Sequence, residues 1–109
     1  MDILKKWWFF VLSDEDLTIG EKVLDPDNYN RIVISDLKTS FEDYAKEHSP
    51  KNRIWGVKRF CEQFRKLVSS VDVKRNGSTP REYEIPSLNE CRLYFVDKFS
   101  LDTIIFDIN

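Results

Sequence analysis

The chain has 109 residues, of which 41% are hydrophobic and 14% aromatic, and its formal net charge is −2. This length suits one compact unit with a single core, and the hydrophobic content excludes an intrinsically disordered chain. The longest apolar run, residues 7–12, is shorter than the about 20 residues that cross a membrane and lacks a signal-peptide cleavage pattern, so we expect a protein without membrane contact. Cys61 and Cys91 lie in helical patterns and are expected to be buried reduced thiols.

The first 29 residues are predicted to form an aromatic helix and an acidic connecting loop. The helix covers residues 3–12, and its WWFFVL run is apolar on every side. A helix of this kind normally lies between two layers, so we expect part of it to pack on something outside the chain. Residues 13–29 are rich in Asp and Glu without a sustained period, which indicates a loop. We therefore divide the chain into residues 1–29 and a domain at residues 30–109.

Two amphipathic helices are predicted next. Residues 30–34 form a helix or short strand that leads to Ser35, a good N-cap. The first helix then places Leu37, Phe41 and Tyr44 on one face and ends before Pro50. The second covers residues 55–68. Its apolar stripe comprises Val57, Phe60, Cys61, Phe64, Leu67 and Val68.

A hairpin and a last helix complete the predicted elements. Residues 71–85 alternate in strand fashion around the turn dipeptide Asn76-Gly77. Ser87 and Glu90 then form a capping box for a helix that keeps Arg92 and Lys98 on its outside. The β-branched and aromatic residues at 103–108 favour a closing strand.

Positive charge is concentrated between residues 51 and 81. This segment carries nine of the 17 Lys and Arg residues but only two of the 19 Asp and Glu residues, a net charge of +7. The segments before and after it carry −5 and −4. Segregated positive charge is typical of a surface that meets phosphate. The candidate nucleic-acid-binding residues are Lys51, Arg53, Lys58, Arg59, Arg65, Lys66, Lys74, Arg75 and Arg81.

The order of these elements predicts a mainly helical α+β fold, a winged helix-turn-helix with a β-hairpin wing. In such modules the second helix of the pair lies along the major groove and the wing touches the neighbouring backbone. The second helix lacks a cluster of Asn, Gln and Arg for reading bases, so we expect backbone contact with weak sequence preference. A solvated charged face is the alternative for the same cations. Trp55, Tyr83 and Tyr94 are candidates for stacking on bases, or else supports of the core and wing.

Two stretches resemble a known family. The run VISDLKTSFEDYAKEHSPKNRIWGVKRFCEQFRKLV and the later YEIPSLNECRLYF are similar to the C-terminal winged-helix region of phage, plasmid and viral primase-helicases. These are superfamily 3 helicases of the poxvirus primase-helicase type, including phage primase-polymerases with a fused helicase. The WWFFVL segment resembles the end of their ATPase module.

The resemblance implies a noncatalytic DNA-binding domain within a larger replication protein. The parent would assemble as a ring, hydrolyse nucleoside triphosphate and move along DNA, with nucleotide synthesis in a separate module. The expected partners are DNA and the remainder of the parent helicase or another replication protein, and any oligomerisation would occur through the parent ring. The expected location is the cytoplasm, that of the host cell for a viral protein.

Catalytic and metal-binding patterns are weak in this sequence. Gly20, Gly56 and Gly77 are too far apart for a phosphate-binding P-loop, so no ATP site is expected. Asp pairs at 14/16 and 25/27 have a spacing seen in metal sites but lie in the acidic loop. His48, Cys61 and Cys91 are too few for structural zinc, and a Cys–His nucleophile pair is disfavoured because Cys61 lies on the core stripe. We expect no enzyme activity, cofactor or metal in this chain.

Two other functions fit the same elements. A winged-helix transcription regulator would prefer a defined duplex and act as a dimer. A protein-interaction module would dock on a replication complex, and the apolar helix at residues 3–12 favours such a contact.

Overall fold

The computed structural model describes residues 2–14, 18–20, 22–51, 55–75, 77 and 80–101. The predicted α+β class is confirmed, with four helices and two small antiparallel sheets in this part of the chain. The helices are Ile3–Ser13 (α1), Ile34–His48 (α2), Val57–Phe64 (α3) and Leu88–Lys98 (α4). The strands are Thr18–Ile19 (β1), Lys22–Val23 (β2), Asn30–Val33 (β3), Asp72–Lys74 (β4) and Glu82–Ile85 (β5). The strand predicted at residues 103–108 lies outside the described residues. Within those ranges, no helix combines the length and apolar character needed to span a bilayer.

The larger sheet has the strand order β3-β5-β4, and both of its pairs are antiparallel. Asn30 of β3 lies opposite Ile85, and Val73 of β4 lies opposite Tyr83. Along β5 burial alternates, so Tyr83 and Ile85 point into the core, as the two-residue period of a strand requires. The hairpin predicted over residues 71–85 is confirmed as paired strands. Positions 76, 78 and 79 of its turn are not among the described residues.

An aromatic cluster joins the N-terminal helix to the rest of the fold. The ring centroid of Trp7 in α1 lies 5.7 Å from that of Phe41 in α2, and 5.8 Å and 6.0 Å from those of Phe60 and Phe64 in α3. Trp8 adds an edge-to-face contact with Phe64 at 5.0 Å. Both tryptophans are fully buried. Residues on either side of position 29 therefore share one hydrophobic core.

The apolar segment of α1 is largely covered by this chain itself, whereas we had expected part of it to pack elsewhere. Phe9 is half-buried, with its ring 6.1 Å from that of Phe95. Phe10 is 43% exposed and is the large apolar side chain of α1 that stays most open. The buried members of the segment are Trp7, Trp8, Val11 and Leu12.

In the connection between α1 and β3, predicted as an acidic loop, residues 18–20 and 22–29 contain regular strand pairing and a hydrogen-bonded turn. β1 and β2 form a short antiparallel pair, and a turn centred on Asp25 follows. The Asp25 carboxylate accepts hydrogen bonds from the backbone N–H groups of Asp27 and Asn28 at 2.8 and 3.1 Å, and the bond from Asp27 is the main cause of its lowered pKa. The Leu88 N–H donates to the Asp25 carbonyl at 3.0 Å. The turn thereby satisfies a free donor in the first turn of α4.

Arg92 is buried, so its predicted place on the outside of the last helix is wrong. Its side chain is 4% exposed. Its Nε donates to the Leu12 carbonyl at 2.7 Å and its Nη1 to Asn89 Oδ1 at 3.0 Å. The carbonyls in the last turn of a helix lack intrahelical donors and carry partial negative charge. The guanidinium supplies both a donor and a positive charge there, and this ties α1 to α4.

Two helix boundaries differ from the predicted ones. α2 begins at Ile34, directly after β3, because the Ile34 N–H continues the sheet ladder by donating to the Arg81 carbonyl at 3.0 Å. Ser35 therefore lies in the first turn and is not the N-cap. α3 is shorter than predicted: it ends at Phe64, and a turn carries the chain onward. Ser87 does cap α4 as predicted, accepting from the Glu90 N–H at 3.2 Å.

Candidate nucleic-acid interface

The outer face of α3 and of the turn directly after it carries four of the nine predicted cations. Phe60 and Phe64 are fully buried and fix the orientation of the helix against α1 and α2. The residues on the opposite side are all exposed. They are Lys58, Arg59, Glu62, Arg65 and Lys66. At the helical period this face has Glu62 at its centre, with two cations on each side.

One side of this face borders a groove of about 660 Å³ between α3 and the β4–β5 hairpin. Three predicted cations line it: Lys58 of α3, Arg65 at the C-cap of α3, and Arg81 directly before β5. Among the described residues, Glu62 of α3 is the one carboxylate in the lining. Tyr83 and Cys61 also contribute to its lining. We call this groove with its rim the α3–hairpin surface. It brings together residues that are 23 positions apart in sequence.

The first turn of α2 also reaches this groove through Ile34 and Ser35. The residue before this helix, Val33, offers no side-chain cap. The Ile34 N–H donates to the Arg81 carbonyl, whereas the next N–H groups of this first turn have no side-chain cap, and such groups favour an anion. Sequence reasoning missed this feature, because Ser35 was predicted to occupy the capping position itself.

The hairpin contributes two further predicted cations. Lys74 is half-buried at the end of β4, and Arg75 is exposed directly after it. Both lie at the end of the strand that leads towards the hairpin turn. Gly77 in that turn has a φ of +63°, a left-handed conformation that glycine adopts without the strain other residues incur.

The other candidate cations lie away from the groove. Arg59 stands over the ring of Trp55, 4.1 Å from its centroid. Lys66 follows α3 and is exposed, and its carbonyl accepts a hydrogen bond from Lys98 Nζ. Lys51 is exposed in the turn after α2. Arg53 lies outside the described residues. The predicted set therefore divides into a groove group, a hairpin group and a flanking group.

The described candidate cations form no ion pairs with the carboxylates of the described residues, so they are open to an external anion. The ion pairs found within the described ranges are Arg31–Glu82 and Lys38–Glu42. Neither involves one of the described candidate cations. A surface whose cations were held in internal ion pairs would offer less to phosphate.

Two of the three aromatic candidates for base stacking, Tyr83 and Trp55, support the core. The ring of Tyr83 is buried and stacks on Phe64 at 6.1 Å, so it is not available to a base. Burial is the main cause that raises the pKa of its hydroxyl, and a hydrogen bond with Cys61 adds to this. Trp55 packs on Phe41 at 5.1 Å and carries Arg59 on its ring. The geometry favours the supporting role for both residues.

Apolar side chains at the rim were not expected. Val57 was predicted on the core stripe but is 59% exposed. It is the first residue of α3, and this end of the helix lies beyond the edge of the core. Val73 on β4 is 47% exposed. Both line the groove. The α3–hairpin surface therefore carries both cations and exposed apolar side chains.

The two thiols have different environments. Cys91 is buried and donates to the Pro86 carbonyl at 3.5 Å, and burial raises its pKa to about 12. Cys61 is half-buried beside the groove, so the expectation of a buried thiol is wrong for this residue. Both are free thiols. The described residues contain no group of three or more His, Cys, Asp or Glu side chains that could hold a metal ion.

Comparison of the chain with protein-family models, with curated proteins and with solved structures gives no match.

Proposed function

We propose that this chain is a noncatalytic DNA-binding domain of the winged-helix type, which holds the DNA backbone through the α3–hairpin surface. The element order supports the fold assignment: β3, α2, α3 and the β4–β5 hairpin follow one another, and β3 pairs with β5, the returning strand of the hairpin. In that fold α3 is the helix that meets DNA, and the β4–β5 hairpin is the wing.

One observation carries the proposal. Lys58, Arg65 and Arg81 come together on a single groove, and the uncapped first turn of α2 opens onto the same groove. Cations and helix N-termini are the groups that most often contact DNA phosphates. Their convergence between the two elements that touch DNA in a winged helix favours binding over a merely solvated face.

The contacts favour backbone binding over sequence reading. At the centre of the exposed face of α3 stands Glu62, a residue that repels phosphate, with cations on both flanks. Phosphate contacts fix position and orientation but carry little sequence information. We therefore propose binding that depends strongly on salt and weakly on sequence.

The larger assignment rests on the resemblance described above. We propose that the domain belongs to a phage or plasmid replicative primase-polymerase with a fused helicase, where it helps to hold the template or fork. A transcription regulator would instead show strong preference for one duplex. A docking module would bind protein. The exposed Val57 and Val73 favour this docking module as the second candidate function.

Fluorescence anisotropy with labelled duplex, single-stranded and forked DNA at several salt concentrations tests this proposal. Neutralising Lys58, Arg65 and Arg81 together to Gln should weaken binding and reduce the slope of log affinity against log salt by roughly 2–3, since each duplex phosphate contact contributes roughly 0.9. The matched control neutralises three exposed lysines outside this surface. They are Lys6, Lys22 and Lys46.

The control variant loses the same charge, so it should change the slope little. An equal effect of both variants would mean that net charge alone drives binding and would reject the groove. Tight preference for one duplex over unrelated ones would favour the regulator. Stronger binding to the fork than to the duplex is the result expected for a replication domain.

A further inference from the structure

A second groove, of about 500 Å³, lies between α1, α2 and the β1–β2 turn. Three carboxylates line it: Asp36, Asp43 and Glu47, all on α2. Its lining includes no Lys or Arg and shares no residue with the α3–hairpin surface. We call it the acidic groove.

Aromatic rings form the apolar part of the acidic groove. The ring centroid of Phe10 lies 5.4 Å from that of Tyr44, which lies 4.2 Å from that of His48. Phe10 is 43% exposed, although the other large apolar side chains of α1 are covered. An exposed aromatic side chain inside a rim of polar residues is typical of a protein contact site.

One wall of the groove is closely packed. Gly20 in the β1–β2 turn has a φ of +63°, and a Cβ placed there would lie 2.5 Å from Asp36 Oδ2. The turn therefore approaches α2 as closely as the absence of a side chain allows. This holds Asp36 beside the turn and gives the groove a formed edge.

The chain itself offers a surface complementary to this groove. The α3–hairpin surface has the exposed apolar residues Val57 and Val73 beside Lys58, Arg65 and Arg81. Glu62 is the one carboxylate in its described lining, so the surface remains predominantly positive. The acidic groove has exposed Phe10 flanked by carboxylates. Each surface thus combines exposed apolar side chains with charged ones, and the predominant charge is of opposite sign on the two surfaces. Complementary charge steers association and fixes the partner.

We propose that the acidic groove of one copy takes the α3–hairpin surface of a second copy. The contact uses two different surfaces, so it is heterologous, and a pair of copies keeps one free surface of each kind, one at each end, for further copies. Self-association and DNA binding would then require the same cations. If the proposed function holds, bound DNA would therefore displace the second copy from the α3–hairpin surface.

Sedimentation velocity over a range of protein concentrations, at low and high salt, tests the proposal. The native chain should gain mass with concentration at low salt and lose this behaviour at high salt, since exposed charges are screened within about 8–10 Å at physiological salt. A native chain that stays monomeric at low salt overturns the proposal.

Two variants each remove one surface. Asp43→Asn with Glu47→Gln neutralises the acidic groove, and Lys58→Gln with Arg65→Gln neutralises the basic surface. Each variant alone should self-associate roughly threefold to tenfold more weakly than the native chain, the range expected for two exposed charge pairs. Mixed in equal amounts, the two variants should form a complex that stops at two copies, because each retains the surface that the other lacks.

A matched control separates this contact from a general effect of charge. Glu90→Gln with Asp97→Asn removes two exposed carboxylates of α4 that line neither groove. This variant should associate like the native chain. Equal weakening by the control, or a mixture that does not restore the complex, overturns the proposal, provided that circular dichroism shows each variant folded.

Added duplex DNA provides a separate outcome. If DNA binds but leaves the assemblies intact, the α3–hairpin surface is not what occupies the acidic groove of the second copy, and this part of the proposal is overturned. A chain that binds no DNA would refute the proposed function, and the sedimentation of the variants would still decide the present inference.

Discussion

The buried guanidinium of Arg92 makes a strong prediction about stability. Arg92→Met keeps much of the unbranched stem but removes the donors to the Leu12 carbonyl at 2.7 Å and to Asn89 at 3.0 Å. Hydrogen bonds that involve a charged group contribute about 1.5–3 kcal/mol, and a buried carbonyl left without a donor costs about 1–3 kcal/mol. We therefore expect the variant to lose about 2–3 kcal/mol of unfolding free energy.

Thermal and urea unfolding, followed by circular dichroism, measure this loss. For a domain of this size it corresponds to a fall in Tm of about 10–20 °C. Arg31→Met is the matched control, since Arg31 forms an exposed ion pair with Glu82 at 3.3 Å. Exposed pairs contribute about 0.2–1 kcal/mol, so the control should lose far less. If both variants unfold alike, the buried link between α1 and α4 is refuted.

Three further predictions concern the thiols and the β4–β5 hairpin. Cys61 beside the groove should react with a maleimide, and duplex DNA should protect it, whereas buried Cys91 should stay unmodified in the folded chain. Equal labelling of Cys61 with and without saturating DNA would place the bound DNA elsewhere. Lys74→Ala with Arg75→Ala should weaken DNA binding and lower the salt slope by roughly 1–2 while the fold is kept, and unchanged affinity would reject a DNA contact by the hairpin. Because burial raises the pKa of Cys91 from 9.0 to about 12, its neutral thiol supports the fold fully below pH 9.0 and this support is lost as pH rises towards 12. Alkaline urea titrations should therefore show a steeper fall for the native chain than for Cys91→Ala, and parallel curves would contradict this.

Local patterns predicted most of the regular elements. The helical spacing of Leu37, Phe41 and Tyr44 predicted α2, and the strand alternation around Gly77 predicted the β4–β5 hairpin. Ser87 with Glu90 located the start of α4. These features depend on neighbours a few residues away, and such neighbours are visible in the sequence.

Features that depend on distant contacts could not be predicted in this way. Arg92 would ordinarily face water, and the Leu12 carbonyl that draws it inward is 80 positions away. The run WWFFVL indicated burial without indicating which surface covers it. Val57 follows the spacing of the core stripe, yet the helix begins there beyond the edge of the core.

The candidate interface was predicted by charge but not by shape. Clustering along the sequence singled out nine cations, and the structure brings three of them, Lys58, Arg65 and Arg81, to one groove. The same cluster included Arg59, which stands over Trp55 instead. The contribution of the first turn of α2 depends on where the β3 ladder ends, a property of the sheet that Ser35 alone does not reveal.

The central claim is that DNA lies on the α3–hairpin surface, and amide chemical-shift mapping by NMR during a titration with a short duplex tests it most directly. We predict that the largest changes fall on α3, on the ends of β4 and β5, and on the first turn of α2, and that they fade as salt rises. The acidic groove around Asp43 and Glu47 should change little under conditions in which the chain is monomeric. Changes centred on the acidic groove, or no changes at low salt, would contradict the account.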